Sequence, residues 1–316
     1  MRSIVVFLFF SSLVSAAEGP PAWAYGTAPQ TPPTKNTQPP DTTVKHLPGS
    51  SGAFTLAQIG DRYNPADWYP DDHPTMPAII SQGRPPEIWA CGLCHYPNGK
   101  GRPENAGVAG LPVSYFIEQM HEFRDGKRSS ADPRKKNTNI MIAIAKAMTD
   151  DEIKASAEYF GAMKWAPWIK VVETDTVPKT YTSVGMYLPL EGNEREPIGQ
   201  RIIETPVDPE ATEALRNPHS GFIAYAPIGS IAKGEKLVNG GDGKAACSAC
   251  HGAELRGLGP VPGIAGRSPS YMVRQMYDMQ QGTRHGSWTE LMKTVVTGLS
   301  EEDMLNIAAY VSSRTP

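Results

Sequence analysis

The four cysteines of this 316-residue chain fall in two pentapeptides, Cys91-Gly-Leu-Cys94-His95 and Cys247-Ser-Ala-Cys250-His251. Cys-x-x-Cys-His is the attachment signature of a c-type haem. Two thiols three residues apart on a helical turn can each add to one vinyl group of the porphyrin, and the adjacent imidazole then faces the iron as an axial ligand. Other chemistries of cysteine pairs fit less well. A thioredoxin-like redox pair needs a surrounding βαβ pattern, which is missing. A zinc site would use knuckles at short spacing, whereas 156 residues carry Cys91 onto Cys247. Structural disulfides would suit an exported protein but give no reason for a histidine after each pair. The pattern predicts two covalent haems, with His95 and His251 on the irons.

The same offset superimposes more than the cysteines. Residues 114–128, Ser-Tyr-Phe-Ile-Glu-Gln-Met-His-Glu-Phe-Arg-Asp-Gly-Lys-Arg, recur as residues 270–284, Ser-Tyr-Met-Val-Arg-Gln-Met-Tyr-Asp-Met-Gln-Gln-Gly-Thr-Arg. Two homologous domains follow. In each copy the apolar residues recur at helical spacing: Phe116, Ile117, Met120 and Phe123, then Met272, Val273, Met276 and Met279. A second helix closes each repeat. Its start is marked by capping boxes at Thr149-Asp-Asp-Glu152 and Ser300-Glu-Glu-Asp303.

Each iron needs a sixth ligand or an open position. Met141 and Met292 occupy matching places seven residues before Met148 and Leu299. A methionine on a loop just before the final helix can fold its thioether over the distal face, and such His/Met ligation raises the reduction potential. Met120, Met276 and Met148 fit a core register instead, because Met fills irregular gaps in packed interiors. His121 rivals Met141 at the first haem, although its counterpart in the second repeat is Tyr277. Arg128 and Arg284 either pair with haem propionates or stand exposed at a helix C-terminus, where the macrodipole favours them. Tyr115 and Tyr271 are expected near the haem edges.

The rest of the chain frames these repeats. Arg2, an apolar run over 4–14 and Ser15-Ala16-Ala17 read as a cleaved export signal over 1–17, too short for the roughly 20 residues that span a bilayer. Periplasmic localisation follows. Residues 18–52 form a proline-rich N-terminal arm, read as a tether. Its alternative is a strand of chain laid on a domain surface and anchored by Trp23, Tyr25 and Phe54. The domains are placed at 53–164 and 231–316, separated by a linker over 165–230 that carries eight prolines. That linker is expected to wrap over the domains with little regular structure, apart from β-like runs such as Trp168-Ile-Lys-Val-Val172. With 30 Pro, 30 Gly and a net charge of −3, the composition excludes collagen, coiled coils and polytopic membrane proteins, and provides no basic footprint for nucleic acid.

On the haem pentapeptides, the repeated Ser-Tyr-x-x-x-Gln-Met helices and the pre-helix methionines, the chain resembles a dihaem class I cytochrome c of the cytochrome c4 type, over about 76–160 and 231–311. The resemblance implies a mostly α fold of two tandem small helical domains, with two haem c groups as cofactors. Cys91, Cys94, His95 and Met141 would hold the first, and Cys247, Cys250, His251 and Met292 the second. It also implies a loop prolyl carbonyl that accepts a hydrogen bond from the ligand histidine. Pro262 matches that position, whereas the first repeat has Ala106 there. The long linker and the arm have no counterpart in the family. The implied function is electron transfer, from a periplasmic dehydrogenase or quinol-oxidising complex to an oxidase or another cytochrome, with any membrane association made through a partner. A dihaem peroxidase, or the cytochrome subunit of a periplasmic dehydrogenase complex, is the alternative. Thiolate ligation as in a thiosulfate dehydrogenase is excluded, since haem attachment consumes all four cysteines.

Overall fold

The computed structural model describes residues 19–27 and 41–316. The export signal expected at 1–17 and most of the proline run, 28–40, lie outside the described residues. The fold is mostly helical, built from two copies of one helical unit around two cores.

The first unit runs through helices Ala78–Ser81, Cys91–His95, Val113–Arg124, Lys136–Ala147 and Asp150–Gly161. The second repeats them as Ser230–Val238, Ser248–His251, Pro269–Gln280, Thr289–Val296 and Glu301–Ser313. The apolar stripe read from the 3.6-residue period is the face that packs. Met120 and Phe123 are buried in one copy, and Val273, Met276 and Met279 in the other. Both capping boxes are formed: the Thr149 and Ser300 hydroxyls accept from the backbones of Glu152 and Asp303, whose carboxylates reach back to the cap amides. The units differ at their first helix, which has four residues in the first and nine in the second. In the longer one, Gly234 is required by close approach, because a Cβ there would sit 1.9 Å from the carbonyl oxygen of Asn306.

The linker departs from expectation. Far from lacking regular structure, it contains a three-stranded sheet in which Phe222–Ala226 pairs in parallel with Ile169–Glu173 and antiparallel with Ile203–Pro206. Two antiparallel strand pairs, Thr176–Pro178 with Arg195–Pro197 and Thr180–Ser183 with Met186–Pro189, occupy the crossover. The central strand alternates, with Phe222, Ala224 and Ala226 buried, as half-buried strands do. Pro178, Pro189, Pro197 and Pro206 fall at strand ends, where a missing N–H costs no ladder bond.

The arm is not a free tether at 22–25 either. Ala22–Tyr25 forms a helical turn with Ala24 and Tyr25 buried, so the chain lies on the protein as the alternative reading had it. The Tyr25 hydroxyl donates to Asp278 Oδ1 at 2.6 Å, and Arg274 donates to the Ala24 carbonyl. Phe54 packs edge-on against Trp68 with ring centroids 4.9 Å apart. Tyr25→Phe leaves one buried carboxylate short of a donor, so it should lower stability by about 1–3 kcal/mol, read by denaturant melting of the haem-loaded protein. No effect would mean that Asp278 is fully served by its bond from the Ala131 amide.

Candidate haem sites

Cys91–His95 forms a single helical turn that points both thiols and the imidazole to one side. Cys91, Cys94 and His95 line a partly open cavity whose remaining wall is largely apolar, including Phe116, Phe160 and Met141. Two features suit this cavity to a covalently attached haem. The first is the histidine. His95 Nδ1 lies 2.8 Å from the carbonyl oxygen of Ala106, and a carbonyl can only accept, so Nδ1 carries the proton and Nε2 presents its lone pair. Burial holds the imidazole below its ordinary pKa, which keeps it neutral and able to ligate. The second is the thiol. Burial pushes Cys91 up to about 12, so its surroundings are apolar enough to hold a neutral thiol, as the largely apolar wall of the cavity would lead one to expect.

The second site repeats this geometry. His251 Nδ1 lies 2.8 Å from the Pro262 carbonyl oxygen, again eleven residues on, and burial again lowers its pKa. The alanine at 106 and the proline at 262 do the same work because the bond uses the backbone oxygen, not the side chain.

Met141 lines the first cavity together with Met120 and Met148, and Met292 is half-buried against the core of the second unit. Neither methionine is on a loop, as the sequence reading supposed. Met141 is inside Lys136–Ala147 and Met292 inside Thr289–Val296. Met120 and Met148 are each 5% exposed, in keeping with a core role. His121 is turned away, with an exposed side chain engaged by Asp150 at 3.2 Å.

Arg128 and Arg284 are not exposed; both are buried where the two units meet. Each guanidinium donates to the glutamine of its own unit and to the tyrosine and glutamine of the other. Arg128 reaches Gln119 at 2.8 Å, Tyr271 at 3.1 Å and Gln275 at 2.9 Å. Arg284 reaches Gln275 at 3.0 Å, Tyr115 at 2.9 Å and Gln119 at 2.8 Å. The backbone closes the same seam: Ser129 donates to Thr283, and His285 to Lys127. Burial by itself would raise the Tyr271 hydroxyl, but the two guanidiniums outweigh it and the net shift is downward. Gln119 and Gln275 went unremarked as functional in the sequence, although both belong to the repeated motif. Arg267, which donates to Gly107 and Ala109 across the seam, has no repeat partner to reveal it.

Comparison with known proteins decides the family. A family profile described as cytochrome c matches residues 231–315. A cytochrome c4 of Pseudomonas aeruginosa is 42% identical over 70% of this chain and 82% of its own length. The chain belongs to the cytochrome c4 family. A protein of Thiomonas intermedia described as a thiosulfate dehydrogenase electron acceptor is 26% identical over 73% of this chain and 81% of its own. The structure of a cytochrome c4 from Acidithiobacillus ferrooxidans is 22% identical, with a TM-score of 0.44 over 71% of this chain and 97% of its own. Like the cytochromes c4, this protein is a dihaem electron carrier with haem c bound covalently at its two pentapeptides, and not an enzyme.

Two predictions test the buried polar groups of this cytochrome. Gln119→Leu removes an acceptor shared by both guanidiniums and should lower stability by about 1–3 kcal/mol, with the two units beginning to melt separately in calorimetry. The second concerns Lys135, 4% exposed. Burial, aided by the charge of Arg274, holds its amine at about 7 against 10.5 for the free side chain. Between those values the unfolded chain binds the proton and the folded one does not, so stability rises with pH from about 7 towards 10. Lys135→Met should flatten that slope, as read by denaturant melts across the range.

Proposed function

We propose that this protein is an exported periplasmic carrier in which His95 with Met141, and His251 with Met292, ligate the two irons and hold them low-spin. The observation that carries the reading is the gathering of Cys91, Cys94, His95 and Met141 on one apolar cavity, with the imidazole oriented by a carbonyl bond that the second unit repeats. Bound haem supplies one-electron iron chemistry. The chain's own residues exclude water from it, fix the imidazole tautomer and set the potential through the axial thioether, which raises it.

Donors are periplasmic dehydrogenases or a quinol-oxidising complex, and acceptors are an oxidase or another cytochrome. The relative from Thiomonas intermedia, described as an electron acceptor of thiosulfate dehydrogenase, favours a dehydrogenase of inorganic sulfur compounds among the donors. Among the described residues no helix is long and apolar enough to cross a membrane, in keeping with association through a partner.

Optical spectra in both oxidation states, haem stoichiometry and a carbon monoxide challenge test the reading. Two low-spin haems, the far-red band of ferric methionine ligation and no carbon monoxide binding are expected. Met141→Ala and Met292→Ala should each lower one potential and open one iron to carbon monoxide. Met120→Ala should mainly cost stability, by about 2–5 kcal/mol. Unchanged spectra and potentials in both ligand variants would sink the axial assignment.

A further inference from the structure

The two haem pentapeptides are chemically equivalent but differently covered. In the second unit, Ala249 and Cys250 are exposed, as are Ala253, Glu254 and Arg256 on the loop that follows. At the matching places of the first unit, Leu93 is 7% exposed, Pro97 and Asn98 are buried, and Cys94 and Lys100 are half-buried. The cover comes from the inserted segment. Arg216 donates to the carbonyl of Leu93, between the two cysteines, and its guanidinium lies 6.0 Å from the Tyr96 ring. Asn98 donates to Pro218 at 3.4 Å, and the Trp168 indole donates to Gly101 at 3.1 Å. Tyr96, Trp168, Met186, Leu188 and Phe222 form one buried apolar cluster over the loop. From the other side, the Ala90 amide donates to the Arg62 carbonyl, and Arg62 stacks on Trp89 at 4.3 Å.

Backbone conformation at Tyr96 supports this reading. Tyr96 has φ 61°, a left-handed conformation costly for a side chain, where the second unit has Gly252 at φ 82°. The strained residue keeps its ring because the ring is the floor on which the inserted sheet packs.

We infer that electrons enter and leave the protein through the haem at Cys250, and that the edge of the haem at Cys94 is sealed by the insertion, so that it exchanges electrons with its neighbour and not with outside partners. Electron transfer weakens steeply with distance, so a layer of side chains over one attachment edge is enough to separate a port from an interior store. The inference rests on the dihaem carrier reading.

The test uses the haem-loaded, reduced and therefore diamagnetic full-length protein, with a soluble gadolinium chelate that broadens proton signals according to approach. With the thioether signals assigned through Cys94 and Cys250, we expect those at Cys250 to broaden several-fold more than those at Cys94. Equal broadening, or stronger broadening at Cys94, overturns the inference. In Arg216→Ala and Trp168→Ala the Cys94 signals should broaden towards the level seen at Cys250, and unchanged protection in both folded variants overturns the role of the insertion. Should either variant fail to fold, the comparison of the two edges in the unaltered protein decides alone. A sample holding fewer than two haems, or a high-spin iron, fails the carrier reading instead, and that count is made on the same material.

Discussion

An imidazole can serve as a permanent axial ligand only when its second nitrogen is committed elsewhere, because otherwise the ring turns and its basicity drifts with solvent. In this chain the commitment is a bond from Nδ1 to a backbone oxygen eleven residues on, made by His95 with Ala106 and by His251 with Pro262. That bond dictates the loop after each pentapeptide, which must double back to bring the carbonyl under the ring. The loop in turn sets where the Val113–Arg124 and Pro269–Gln280 helices begin, and these supply the apolar wall of the cavity and the polar residues of the seam.

The seam solves a different problem. Two guanidiniums are buried facing one another, and among the described residues no carboxylate is hydrogen-bonded to either, an arrangement in which Coulomb repulsion opposes association. Neutral acceptors carry the load: each glutamine oxygen takes a bond from both arginines, and each tyrosine hydroxyl takes one from the opposite unit. Because every acceptor is shared across the boundary, neither unit can satisfy its own arginine alone. The contact is thus specific to this pair of domains, although the buried Arg284 Nε has no hydrogen-bond partner among the described residues. The arm adds asymmetry, since Tyr25 serves Asp278 in the second unit, whereas the carboxylate of Glu122, its counterpart in the first, has no hydrogen-bond partner among the described residues.

What was legible in the sequence was local or repeated. The pentapeptides, the amphipathic helices and both capping boxes declare themselves within a few residues, and duplication confirmed each by its copy. The carbonyl partner of the second histidine was visible as Pro262. Of the inserted sheet only the β-like run at 168–172 was legible, because its strands are four or five residues long and its decisive pairing joins residues 169–173 to 222–226. No window around either strand contains its partner. The arginines show the same limit: their repetition marked them as important, but whether a guanidinium meets solvent, a propionate or a glutamine depends on a surface contributed by the other unit. The methionines were read onto a loop, whereas both lie within helices, Lys136–Ala147 and Thr289–Val296.

The sheet that covers the first pentapeptide is made from chain that lies after it, beginning at Ile169. Cofactor attachment needs the thiols of Cys91 and Cys94 to meet a porphyrin and its attachment machinery, and that meeting cannot take place once Trp168 and Arg216 have closed over Leu93 and Gly101. Loading the first haem from the docked state would mean undoing these contacts, whereas at the second pentapeptide Ala249 and Cys250 stand exposed.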